Sequence, residues 1–344
     1  MPEAADHRDG ELALRVGAEI VAILDWSLDR GDQSLIALYE QAKRMQWNGS
    51  VDIDWRMPVD FGALLPVGSE FAVATFRASP IADRGRPCWD AFRWQVQAWM
   101  VCQFLHSEQA ALVASARLAE VVPDADAKFC AISQAGDEAR HTEVFGRYVR
   151  MHVADPYPVN EALRSVFQDA LGARDWDFVA LAIQCLVEPV ALAGFRLAGT
   201  TFHDPLIKQI VAKVARDEAR HVSFGTVLLR DVIPQMASAE LADREEYVLT
   251  AVELLRRRFL LADVWERMDV DVQVGTAFAA RDPGLSAYRQ ALFSRVVPML
   301  ANIGLLTPRV VDGLSGLDLL DGAARRVIER QTQGRLTSRS RLIR

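Results

Sequence analysis

Asp137-Glu138-Ala139-Arg140-His141 and Asp217-Glu218-Ala219-Arg220-His221 are one pentapeptide written twice, 80 residues apart. A lone glutamate precedes each copy at the same distance: Glu108 stands 30 residues before Glu138, and Glu188 stands 30 before Glu218. On a helix, residues three apart share a face, one turn up. Each Glu-x-x-His therefore offers a carboxylate and an imidazole to a single point. One such pair is usually an ordinary surface pair. Surface pairing, however, gives no reason for a glutamate at an equal upstream distance in both copies.

Outward from these motifs the pattern is helical. Residues 90–121 run without proline or glycine, which predicts a long helix carrying Glu108. Pro123-Asp124 separates it from a second, about 125–153, with Glu138 and His141. After a shorter helix at 160–171, a third long one over about 176–200 carries Glu188. Asp204-Pro205 has the form of a cap with proline at the first helical position, opening a fourth to about 232 with Glu218 and His221. Pro189, directly after a candidate ligand, is expected to free a backbone carbonyl and kink the third helix.

Upstream, apolar periodicity predicts helices at Glu11–Trp26 and about 34–45, followed by an arm rich in proline and glycine. Downstream, helices are expected at 238–268, 285–302 and 308–331, with a weaker stretch at 269–284. The expected organisation is 1–88 for N-terminal helices and arm, 89–235 for the bundle, 236–335 for further helices of the same domain, and a basic tail at 336–344. The fold class is all-α: a four-helix bundle with additional N- and C-terminal helices.

Two hairpins that converge supply four carboxylates and two imidazoles, the donor set of di-metal carboxylate bundles. Four glutamates neutralise two divalent ions, which matters because unpaired carboxylates in an apolar interior are costly. Oxygen and imidazole donors suit iron or manganese. Glu108, Glu138, His141, Glu188, Glu218 and His221 are thus the candidate metal and catalytic residues. Asp137 and Asp217 are placed to accept from the histidines' second nitrogens, with Arg140 and Arg220 holding the aspartates. Residues one turn from the ligands are expected to line a pocket: Phe104, Ala111, Leu112, Gln134, Phe145, Gln184, Cys185, Ala191 and Leu192.

At Glu108…Asp137-Glu138-Ala139-Arg140-His141 and Glu188…Asp217-Glu218-Ala219-Arg220-His221 the chain resembles the ferritin-like di-iron carboxylate superfamily. In style it is similar to the ribonucleotide reductase small subunit and the multicomponent monooxygenase hydroxylases. Trp47–Asp54 also looks like the Trp-rich segment ahead of the bundle in reductase-like members. The resemblance implies an oxygen-activating non-haem di-iron oxidoreductase, with hydroxylation, N-oxygenation and desaturation all open. It implies two iron ions (or manganese with iron), dioxygen as co-substrate, and a small organic substrate. Departures narrow it. Phe145 stands where a reductase subunit keeps its radical tyrosine, Leu192 where the hydroxylases carry a threonine, and Val214 where arylamine N-oxygenases add a third histidine. A ferroxidase and a non-catalytic ferritin-like subunit are the alternatives.

A formal net charge of −7 over 344 residues argues against nucleic acid or anionic membrane as a partner. No apolar run is read as reaching the length of a membrane span, and no signal peptide is read at the start, so a cytoplasmic protein is expected. Cys88, Cys102, Cys130 and Cys185 form no C-x-x-C pair, in keeping with a reduced compartment. No glycine fingerprint for flavin or nicotinamide precedes a strand, so electrons are expected from a ferredoxin or flavin reductase. A homodimer is expected from surplus helices and family habit.

Overall fold

Asp124, Asn160 and Asp204 each turn a side-chain oxygen back onto the first free amides of a helix, and these caps set the frame of the fold. The computed structural model describes residues 16–18, 20–24 and 31–330. The first bundle helix, α3, spans Gly85–Val121. It starts earlier than expected because Pro87 falls in its first turn, where its missing N–H costs nothing. The second, α4, spans Ala125–His152 and pairs with α3 as one hairpin. The short α5, Glu161–Gly172, leads to the third bundle helix, α6, Trp176–Thr201. Asp204 Oδ1 accepts from Ile207 N at 2.9 Å and opens α7, Pro205–Leu229, which closes the second hairpin against α6.

Inside α6 the ladder shifts register: Leu181–Val187 is a π-helical segment between the α-helical pieces Trp176–Ala180 and Glu188–Thr201. Proline at 189 has no N–H to give, and its ring crowds the carbonyl a turn earlier. Widening the preceding turn relieves both faults. The bulge sits directly before Glu188. Gly225 of α7 lies against it, so close that a Cβ there would be 2.5 Å from the Gln184 Cβ.

Around this bundle pack α1 (Gln33–Arg44), which lies on α4 and α7, and α2 (Glu70–Ala78). On the other side α8 (Ser238–Arg258) packs on α5 and on the π segment. Among the described residues there is no strand. The all-α reading therefore stands, with corrections at the edges.

The helix expected at Glu11–Trp26 is absent from its described part, residues 16–18 and 20–24. Val21 and Leu24 are exposed, and Ile23 N donates to Glu120 O at 3.0 Å. An amphipathic stretch holds a helix mainly through its packed face, and here Val16 packs on the core while Val21 and Leu24 do not. The expected 238–268 helix ends at Arg258, and a short α9 follows at Ala262–Arg267. Leu261 takes a left-handed conformation (φ 61°) between them, tolerated because Leu261 and Trp265 are buried there.

The stretch 269–284 contains a helix, α10, Val272–Arg281, seated by Gly275 against the face of Trp265. The 285–302 prediction divides into α11, Pro283–Phe293, and α12, Val296–Asn302. Likewise 308–331 divides at Asp318 (φ 56°) into α13, Pro308–Gly316, and α14 over 322–330. Contrary to the reading of the sequence, α6 is long and apolar enough to cross a membrane by composition, yet 89% of its apolar window is buried inside the bundle. The basic tail at 336–344 lies outside the described residues.

Candidate metal centre

Four helices each present a donor to the bundle axis: Glu108 from α3, Glu138 and His141 from α4, Glu188 from α6, Glu218 and His221 from α7. All six are at most 3% exposed. They form two overlapping groups whose ligand atoms lie within 4.8 Å of one another. One is Glu108, Glu138, His141 and Glu218; the other is Glu138, Glu188, Glu218 and His221. Glu138 and Glu218 belong to both groups, and Glu108 and Glu188 to one each. His141 Nδ1 stands 3.1 Å from Glu108 Oε2 and 3.2 Å from Glu138 Oε2. His221 Nδ1 stands 3.0 Å from Glu138 Oε1 and 3.3 Å from Glu218 Oε2.

The second nitrogens cross between hairpins. His141 Nε2 is 3.1 Å from Asp217 Oδ2, and His221 Nε2 is 3.3 Å from Asp137 Oδ2. Each aspartate thus serves the other copy's histidine. An imidazole that donates from Nε2 keeps the Nδ1 lone pair for a metal. Arg220 Nη2 ties the aspartates together, donating to Asp137 at 2.7 Å and Asp217 at 2.8 Å. Arg140 donates to Asp137 as well. Both guanidinium groups are therefore spent on the aspartates, and the glutamates face the histidines and one another.

The carboxylates and imidazoles of the centre perturb one another strongly. Burial pushes the Glu108 and Glu188 carboxyls well above the usual range, and the charges of Glu138 and Glu218 add to it. Burial acts the same way on Glu138 and Glu218, but the facing His221 outweighs it and both lie low. Burial would lower the histidines. Hydrogen bonds to Asp217 and Glu108 at His141, and the charges of Glu138 and Glu218 at His221, instead hold both well above their ordinary value. Glu218 Oε1 is buried with no well-aligned hydrogen bond, His141 Nδ1 lying 3.2 Å away but already shared with Glu108 and Glu138. A carboxylate oxygen left this way, within a mixed oxygen and imidazole donor set, fits a pair of divalent cations.

Gln134 stands over the second group, donating to Glu188 Oε1 at 2.9 Å and Glu138 Oε1 at 3.1 Å. Gln184 donates to Gln134 Oε1 at 2.9 Å, so the π segment is wired to the donors. Gln134 also lines a narrow cleft with Tyr39, Asp137 and His221. An apolar crevice on the other side is lined by Phe104, Ser107, Val187, Ala191, Gly194 and Arg258, among others. Phe104, Phe145 and Phe195 form an aromatic cluster, with Phe145 5.6 Å from each of the other two by ring centroid and those two 4.5 Å apart. Ala111, Cys185 and Leu192 are buried in the core, and Leu112 is half-buried. Val214 is fully buried, and Tyr148 donates its hydroxyl to Asp204 at 2.7 Å.

Two residues escaped the reading of the sequence. Trp47 Nε1 donates to Asp217 Oδ2 at 2.7 Å, and Gln46 bridges Arg140 and Asp137 at 2.7 and 3.2 Å. Their only signal was the Trp-rich segment ahead of the bundle.

Among curated proteins none matches the sequence. Solved structures of variants of an R2-like ligand-binding oxidase, with anaerobically reconstituted Mn/Fe cofactor, are similar in fold. One has 17% identity and a TM-score of 0.52, covering 81% of this chain and 96% of its own. A second has 17% identity and a TM-score of 0.50, with the same coverage. The family model for the P-aminobenzoate N-oxygenase AurF matches residues 113–304, more than half of the chain and spanning five of the six donors. By that match, on a bundle whose donors form two sets sharing Glu138 and Glu218, the chain belongs to the P-aminobenzoate N-oxygenase AurF family.

Proposed function

We propose that the chain is an oxygen-activating N-oxygenase that holds two iron ions, or manganese with iron, and oxidises the amine nitrogen of a small organic substrate. The observation that carries this reading is the sharing of Glu138 and Glu218 between two donor sets, within a family named for amine oxygenation. Glu108 with His141 would complete one ion, and Glu188 with His221 the other. When bound, the metal pair supplies a site for dioxygen and electrons for its reduction.

The protein's own groups set the conditions. Asp217 and Asp137 fix the histidine tautomers, and Arg220 fixes the aspartates. Phe104, Phe145 and Phe195 form a wall that keeps water from the oxidant. One oxygen atom goes to the substrate nitrogen and the other leaves as water, which takes two electrons and two protons from outside. A ferredoxin or flavin reductase is the proposed donor. The free cysteines support a reduced, cytoplasmic setting, and a homodimer is the proposed assembly.

The test combines three measurements on iron-loaded protein: iron per chain, oxygen uptake with p-aminobenzoate, and the mass of the product. Two irons per chain with a product heavier by one oxygen supports the reading. Oxidation of iron alone, with no substrate-dependent uptake, would replace it with iron handling.

A further inference from the structure

A cleft of about 300 Å³ opens over α8 where it meets α5 and the start of α6. Its floor is apolar: Val166 from α5, Phe178 from α6, Ala251 and Leu254 from α8. Three carboxylates line it as well, Asp169, Asp243 and Glu246, and among the described residues no cation does. Glu246 pairs with Arg309. Arg244 is engaged with Asp177 at 2.8 Å and lies over the Phe178 ring. Asp169 and Asp243 are exposed, and neither has an ion-pair partner among the described residues. The Tyr247 hydroxyl, also at this cleft, is buried and makes no hydrogen bond, although a buried phenol ordinarily finds a partner.

The complementary set stands in residues 331–344, which follow α14 in the chain. This segment carries Arg335, Arg339, Arg341 and Arg344, no acidic residue, and the apolar Leu336, Leu342 and Ile343. Reach is not limiting. Leu317 O accepts from Arg256 Nε at 2.7 Å, which fixes the chain beside the Leu254 end of the cleft. From there α14 runs about 13 Å, and the residues after it can span up to about 46 Å. The stretch of α8 from Asp243 to Leu254 is only about 17 Å long. A single exposed ion pair is weak. Covalent attachment, however, holds the segment near the cleft at an effective concentration of about millimolar, so a few such contacts suffice.

We propose that residues 331–344 dock in this cleft of their own chain, with Leu342 and Ile343 on the apolar floor and the flanking Arg341 and Arg344 at Asp169 and Asp243. A backbone carbonyl of the segment accepts from the Tyr247 hydroxyl. So placed, the segment clamps α5, α8 and the first turn of α6, the turn that leads into the π segment before Glu188. The inference stands apart from the oxygenase reading, since none of the metal donors lines the cleft.

The test is tryptic cleavage of the full-length protein at Arg339 and Arg341, followed by mass spectrometry. A trace of isotope-labelled peptide of residues 331–344 in the same tube is the undocked reference. The parent is expected to be cut at least about tenfold more slowly than the peptide, the protection that two modest ion pairs give. Asp169→Asn combined with Asp243→Asn should bring the rate to within about twofold of the peptide, with the circular dichroism unchanged. Salt at about 1 M, where the screening length shrinks to about 3 Å, should lower the parent's protection in the same direction. A parent cut as fast as the peptide, or a double variant protected as well as the parent, overturns the proposal. Protection that rises with protein concentration places the segment in a second copy's cleft and overturns it too. If the double variant fails to fold, the salt series on the parent decides: protection that does not fall with salt overturns the docking.

Discussion

Alanine at Gly225 should destabilise the protein, while alanine at Gly136 should stabilise it. Both glycines sit inside long helices, where replacing glycine with alanine gains about 1 kcal/mol of helix propensity. At Gly136 a Cβ would meet nothing within 4 Å, so the gain stands alone. At Gly225 the Cβ would lie 2.5 Å from Gln184 Cβ and 3.0 Å from the Gln184 carbonyl oxygen. Neither atom can swing aside, so α7 or the π segment must move. Overpacking of this kind costs about 1–3 kcal/mol and exceeds the propensity gain. An unfolding entropy of about 2.1 cal/mol/K per residue makes 1 kcal/mol worth about 1.4 °C in a chain of this size.

Thermal unfolding of metal-free protein, followed by circular dichroism, should therefore show Gly136→Ala up by about 1–2 °C and Gly225→Ala down by up to about 3 °C. The move also has a functional reading, because Gln184 holds Gln134 and Gln134 holds Glu188 at 2.9 Å each. Iron affinity should fall in Gly225→Ala and not in Gly136→Ala. A Gly225→Ala protein that melts at or above the parent would refute the close approach of α7 to the bulge, and with it the account of how Glu188 is aimed.

Stoichiometry separates the shared donors from the private ones: Glu138→Ala should bind no iron tightly, whereas Glu108→Ala should retain about one ion of two, by metal analysis after desalting with helical signal intact. His221→Ala should likewise lose metal without losing the fold. Asp217→Asn, which leaves His141 Nε2 and Trp47 Nε1 with a weaker acceptor, should cost about 10–100-fold in metal affinity, by competition with a chelator. Thiol titration at neutral pH should find Cys88, half-buried, reacting first in folded protein. Cys102, its thiol pushed up to about 11 by burial, and Cys185, pushed higher still by burial, should stay silent until denaturant is added. Rapid reaction of Cys185 would mean that the π segment opens.

What could be read in the chain was local. Glu-x-x-His spacing is a statement about helical phase, and Asp124, Asn160 and Asp204 mark helix starts within three residues of themselves. The four long helices and the facing of their donors follow from such short-range facts. What was missed depends on distant surfaces. Residues 16–24 have helical periodicity, but periodicity makes a helix only where the apolar face finds a partner, and Val21 and Leu24 find none. The break at Leu261 uses left-handed backbone at a branched apolar residue, which no propensity favours and which burial in the finished core compensates, whereas the break at Asp318 falls on an exposed residue of a type that tolerates that conformation.

The aspartates show the limit best. Asp137 lies four residues from His141 and so invites a partnership within its own copy. Instead each aspartate takes the histidine 84 or 76 positions away across the bundle, because an i,i+4 pair on one helix cannot reach the far edge of an inward-pointing imidazole. Duplication put two equal copies within reach of each other, and exchanging partners lets one arginine, Arg220, brace both. A single-copy variant with Asp137→Ala should therefore loosen His221 rather than His141, and the nitrogen resonances of the two imidazoles in metal-free protein would show which ring loses its fixed tautomer. If His141 alone responds, the crossing of the two hairpins does not govern the centre.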